Sequence, residues 1–85
     1  MSAYAASKAA VLNFSESLAK ELVQFGVTVN ALVPSVIDTP ANRKAEPGAD
    51  TSRWLKPEEI ASVVEFLASD AAAVVNGSAV NLTRG

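Results

Sequence analysis

The sequence predicts an α/β fold: one end of a doubly wound parallel sheet, with elements in the order helix, strand, helix, strand. Three observations predict it. A long stretch with apolar residues at helical spacing opens the chain. Two short runs rich in apolar and β-branched residues come later, and a second stretch of helical period separates them. Strands joined through a helix pair in parallel by a right-handed crossover.

The first helix is expected from Ser2 to about Phe25. Val11, Phe14, Leu18, Leu22 and Phe25 recur at spacings of three and four, the period of one helical face. Many alanines favour helix, and Gly26 suits the position just past its end. The first strand is expected over residues 27–33, Val-Thr-Val-Asn-Ala-Leu-Val, closed by Pro34. Residues 34–55 read as a long loop, since 34–53 hold three of the four prolines and show no sustained period. Loops above ~15 residues are more often functional or disordered.

Pro57-Glu58-Glu59 opens the second helix, expected over 57–68, because proline suits its first position and acids suit the positive end of its dipole. Ile60, Val63, Val64 and Leu67 form its apolar stripe. A final strand is expected over 78–82. Two parallel strands make a poor isolated sheet, since such sheets are normally wider and covered on both faces. An unpaired outer edge invites association. The pattern is that of one end of a larger sheet.

Composition narrows the classes. The 85 residues are nearly half apolar and carry a net charge of −2, with neither cysteine nor histidine. The mildly acidic balance gives no electrostatic reason for nucleic acid or an anionic membrane as partner. Disulfides and the usual zinc ligands are missing, which fits a cytosolic protein. No apolar run approaches the ~20 residues that span a bilayer, and Met-Ser-Ala-Tyr lacks the order of a secretory signal. A chain this short buries only roughly 60–65% of its unfolded surface, so a partner or further chain is expected to complete its core.

The residues that could carry chemistry are Tyr4 and Lys8, four apart and so on one helical face. A free phenol titrates near ~10, too high for ready proton exchange at neutral pH. A neighbouring ammonium favours the phenolate by about 4 kcal/mol at ~4 Å in an effective dielectric of ~20, but by only about 1 kcal/mol in water. The pair therefore works as a proton donor only in a closed, partly dry site. The plain alternative is a tyrosine over an apolar patch beside a solvated lysine.

The run Tyr4-Ala-Ala-Ser-Lys-Ala-Ala10, Val-Thr-Val-Asn-Ala-Leu-Val-Pro34, Asp38-Thr39-Pro40, Pro57-Glu-Glu-Ile-Ala61, Phe66-Leu-Ala-Ser-Asp70 and a closing strand after Gly77 occur in that order. Together they resemble the C-terminal half of the short-chain dehydrogenase/reductase family, over essentially the whole chain. The resemblance implies a Rossmann-like fold and an oxidoreductase using NAD or NADP on a small carbonyl, alcohol or related C=N substrate. Tyr4 then matches the general acid/base, and Lys8 the residue that activates it and bonds the nicotinamide ribose. Pro34, Ile37 and Thr39 match positions near the nicotinamide, Ile37 through its backbone and Thr39 through its hydroxyl. The family's equivalent of the first helix contributes to a subunit interface, which implies a homo-oligomer, dimer or tetramer.

A narrower resemblance, to dihydropteridine reductases, lies in Leu32 to Lys44, Pro47 to Asp50 and Ser52-Arg-Trp54. It makes residues 41–54 a substrate lid, with Asn42, Arg43 and Trp54 as lining residues. Departures matter too. Ser35 stands where the family has glycine, and Thr83-Arg84-Gly85 where it ends in acidic Gly-Gly. The chain holds no G-x-G-x-x-G turn for the adenine half of a dinucleotide, nor the family's upstream serine and asparagine. The expectation is a piece of an enzyme, inactive by itself; the competing reading is a non-catalytic piece that acts through helix-mediated association.

Overall fold

Ser2 starts the first helix by accepting the Ala5 amide on its Oγ at 3.1 Å, which satisfies one of the donors orphaned in the first turn. The computed structural model describes residues 2–85. Helix α1 runs Ala3–Leu22 and tightens into a 3₁₀ turn at Val23–Phe25. Gly26 ends it at φ +70°, a left-handed backbone that glycine adopts without a Cβ clash.

Strand β1, Ala31–Pro34, pairs in parallel with β2, Ala79–Leu82, in the register Ala31–Ala79 to Pro34–Leu82. The crossover between them holds α2, Pro40–Ala45, and α3, Pro57–Leu67. Glu59 accepts the Lys56 amide at 2.9 Å, the reciprocal bond of a capping box, and Pro57 occupies the first turn. Arg84 pairs with the same Glu59 carboxylate, so the unusual chain end after β2 is tied to the start of α3.

Two expectations change. The first strand begins at Ala31, not at Val27. Residues before it are held by side chains and turns instead of a ladder: Val29 donates to Asn76 Oδ1 (2.9 Å), Asn30 Nδ2 donates to Val75 O (3.0 Å), and Ser78 donates to Asn30 Oδ1 (3.0 Å). The expected loop contains α2, because Thr39 Oγ1 accepts the Asn42 amide at 3.1 Å and Pro40 follows at the first helical position.

Burial differs more. Only Ala19, Leu55 and Ala72 are buried apolar residues among those described. Of the expected stripe on α1, Leu18 and Leu22 are half-buried, while Val11, Phe14 and Phe25 face solvent. The covered side of α1 is instead marked by Leu12, Ser15 and Ala19. In α3, Ile60, Val63 and Leu67 are half-buried and Val64 is exposed. The accessible surface is 6226 Å², against about 4,800 Å² expected for a closed monomer of 8.8 kDa. The radius of gyration is 15.2 Å, against about 12 Å. The described residues form an open layer with apolar sides uncovered. No helix among them is long and apolar enough to cross a membrane, and they hold no cluster of metal-ligating side chains.

Candidate active site

The Ser2 cap fixes where α1 begins, and so places Tyr4 in its first turn and Lys8 one turn further along. Both side chains lie over the carboxyl end of β1, where open α/β sheets place their ligands. Tyr4 and Pro34 stand between two adjoining cavities. One, of about 450 Å³, is lined by Pro34 to Ile37 and by Asn42, Glu46 and Trp54. The other, of about 350 Å³, is lined by Tyr4, Ser7, Lys8 and the apolar Val11, Leu32 and Val33. Tyr4 is 77% exposed, so water reaches the phenol and screens its coupling to Lys8.

Ile37 forms an isolated parallel bridge with Leu55: the Leu55 amide donates to Val36 O at 2.9 Å and the Asp38 amide donates to Leu55 O at 2.6 Å. A parallel bridge of this kind uses the groups on either side of Ile37 and turns its own amide and carbonyl the other way. The carbonyl accepts from Asn42 Nδ2 at 2.8 Å. The amide is left outside the ladder. Ser35 has no left-handed backbone, since no residue other than glycine has positive φ among those described. A glycine is therefore not required at this point, and Ser35 lines the larger cavity.

The structure thus gathers Tyr4, Pro34, Ile37, Asn42 and Trp54 around one cavity and puts Lys8 in the next. Two expected residues lie elsewhere. Arg43 turns away from both cavities and grips Asp38, Nε to Oδ1 at 2.6 Å and Nη2 to Oδ2 at 2.9 Å, with Thr51 Oγ1 at 3.5 Å. The two-pronged charge pair outcompetes exposure to an open cavity. It also holds the Asp38 carboxyl below the ordinary carboxylate range, chiefly through the Arg43 hydrogen bond, and raises Arg43 in turn. Thr39 lines neither cavity; its oxygen caps α2. Glu46, which the sequence reading passed over, lines the larger cavity just past the end of α2. Only its spacing from Asn42, one helical turn, could have signalled it.

A family model described as enoyl-(acyl carrier protein) reductase matches residues 1–85. Galactitol 2-dehydrogenase of Rhizobium johnstonii is 46% identical over 98% of this chain, and a 3-oxoacyl-(acyl-carrier-protein) reductase of Synechocystis is 43% identical over 96%. This chain belongs to the short-chain dehydrogenase/reductase family. It spans 36% of the length of each of those two relatives. Among solved dehydrogenase structures of the family, acetoin dehydrogenase from Enterobacter cloacae superposes with a TM-score of 0.76 at 34% identity, over 93% of this chain and 34% of that one. 4-Hydroxyisoleucine dehydrogenase complexed with NADH gives 0.75 at 31% identity, over 93% and 35%. The α/β layer is thus a part of the Rossmann-type fold of these dehydrogenases.

The donor set can be tested against a nicotinamide dinucleotide. A backbone amide at Ile37 outside the ladder, the apolar side chains of Pro34 and Val36, and the Lys8 ammonium suit the amide ring and its ribose. Nothing in the chain suits the adenine end, which needs a glycine-rich turn at a helix start. The residues present fit half of the cofactor.

Proposed function

We propose that the protein is an NAD(P)-dependent oxidoreductase that interconverts a small carbonyl, or related C=N compound, with its alcohol or amine, with Tyr4 as general acid/base. The observation that carries this reading is the position of Tyr4 between two cavities at the carboxyl end of β1, with Lys8 lining one and Trp54 the other. When bound, the dinucleotide supplies or accepts the hydride. The residues of this chain do the rest. The segment from Pro34 to Ile37 seats a flat ring, and Lys8 binds a ribose hydroxyl. Tyr4 gives its proton to the substrate oxygen in reduction and recovers it in oxidation. The Lys8 charge supports the deprotonated oxygen, an effect that grows as the cavity is closed to water. Asn42 and Trp54 bound the substrate side, while Arg43 and Thr39 support that side from behind.

A second reading has its own observation. Phe14 on α1 and Phe25 in the turn after it are apolar and exposed, which favours helix-mediated association into a dimer or tetramer, with or without catalysis. The test uses the protein expressed from its complete reading frame, assayed for NADH- and NADPH-linked reduction of small ketones and oxidation of secondary alcohols. Tyr4→Phe is expected to lower kcat by about 10²–10⁴-fold while the protein stays folded. Normal turnover in Tyr4→Phe would remove Tyr4 from the reaction, and oligomers without any turnover would leave association as the function.

A further inference from the structure

The lining of the larger cavity carries a charge pattern that the reaction does not need. Tyr4, Pro34, Val36, Ile37, Ala45 and Trp54 bring no net charge to it, and the Asn42 amide is already spent on Ile37 O. Glu46 is the only acidic or basic side chain in the lining. Nearby charges do not neutralise it: Arg43 is taken by Asp38, and among the described residues the ion pairs are Glu16–Lys20, Asp38–Arg43 and Glu59–Arg84. Lys8 lines the neighbouring cavity, on the other side of Tyr4.

Glu46 is exposed, and its backbone is held in place. Its amide donates to Asn42 O at 3.1 Å, and α2 before it is fixed by the Thr39 cap, the Asn42–Ile37 bond and the Asp38–Arg43 pair. An acid at the C-terminal end of a helix meets the negative end of the backbone dipole, so local stability does not favour it there. An exposed acid that gains nothing from its own helix, and borders a cavity beside Tyr4, is placed to meet what enters that cavity.

We infer that Glu46 is a specificity-determining residue that makes the substrate side of the site select neutral or cationic carbonyl compounds over anionic ones. This rests on the oxidoreductase reading and names its substrate class. The selection works by repulsion as much as attraction: a carboxylate or phosphate on the substrate meets a like charge with no cation beside it. The uncharged Trp54 ring and the apolar side chains of Pro34 and Val36 leave shape and apolar contact to set the remaining preference.

The test compares kcat/KM for a matched pair of ketones, one neutral and one bearing a carboxylate at the same carbon count, in the protein from its complete reading frame. Across an open, wet cavity, unit charges about 6 Å apart change such a ratio about threefold. Glu46→Gln is therefore expected to shift the ratio about threefold toward the anionic ketone, and Glu46→Lys about tenfold. Both shifts should shrink as salt rises from 50 to 500 mM, which a merely structural effect would not do. Glu58→Gln, an acid on α3 that lines neither cavity, serves as the control and should leave the ratio unchanged. A ratio that stays within 1.5-fold in Glu46→Lys overturns the inference while leaving the oxidoreductase reading intact. Failure of the wild-type protein to reduce either ketone, or any other carbonyl, overturns both.

Discussion

Between Val36 and Lys56 the chain finds its partners close by: Leu55 bridges Ile37, Asn42 bonds Ile37 O, Arg43 grips Asp38, and Leu55 is buried. Along the outer side of α1 and its terminal turn it finds none, and Phe14 and Phe25 stand in solvent, Phe14 at 66% exposure. The two regions satisfy themselves by different physics. Hydrogen bonds and charge pairs are directional and short, so twenty residues can complete them. Apolar burial needs area, and an 85-residue layer does not have enough of it to cover both sides of its own helix. The Val36–Trp54 side of the larger cavity is consequently built from local contacts, while the outer side of α1 is left to whatever covers it.

The largest break in that comparison comes from Leu55. It is 5% exposed and is the only large apolar side chain buried among the described residues. Leu55→Ala is expected to cost about 2–3 kcal/mol, near the low end for such truncations because the surrounding layer can relax into the space. Urea unfolding would read it as a lower midpoint with little change in slope. A loss below ~1 kcal/mol would mean that the 36–55 segment is held by its polar contacts alone.

Phe14 supplies the contrast. Phe14→Ala removes as much apolar surface, yet from a side chain that is already wet. The expected change in intrachain stability is within about 0.5 kcal/mol. Its effect should fall on association instead: sedimentation equilibrium should show a weaker oligomer for Phe14→Ala than for the wild-type protein. Destabilisation equal to that of Leu55→Ala under dissociating conditions would show that the outer side of α1 is covered within the chain.

The same division decides what could be read from the residues. The start and end of α1 were legible because Ser2 and Gly26 act on their own turn. Pro57 and Glu59 announced α3 for the same reason. Helix α2 was missed: Thr39 followed by Pro40 is a local cap signal, but the prolines around it made the whole stretch read as a loop. The late start of β1 was not legible: it depends on Asn30 and Asn76, 46 positions apart, exchanging side-chain bonds with each other's backbone neighbours. Nor could spacing tell which of two apolar sides of α1 would be covered, since Leu12 and Phe14 are equally apolar and differ only in what lies opposite. At the site, the Tyr4–Lys8 spacing is a local property of a helix and was visible. The fate of Arg43 was hidden, because opposite charges five apart meet only once α2 turns the chain back.

The smallest effect is a dependence on pH, and it tests whether the 36–56 region is held by its charges. Asp38 is held below the ordinary carboxylate range chiefly by its hydrogen bond from Arg43, and Glu59 chiefly by the Lys56 amide and then by Arg84. For a carboxyl depressed in the folded state, the charged form binds the fold better than the neutral form does. Its contribution is whole above the ordinary carboxylate value near ~4 and is lost as pH falls below that, through the depressed folded value. Stability should thus be flat from pH 7 to about 5 and decline toward pH 3. Both acids are only half-buried, so salt should blunt the decline. Asp38→Asn should flatten part of the slope and Glu59→Gln another part, in urea midpoints measured across that range. If Asp38→Asn keeps the full decline, the Arg43 grip contributes nothing to folding, and the α2 segment is held by the Thr39 cap and the Asn42 bond to Ile37 instead. Glu46 would then keep its place at the cavity without help from the charge pair behind it.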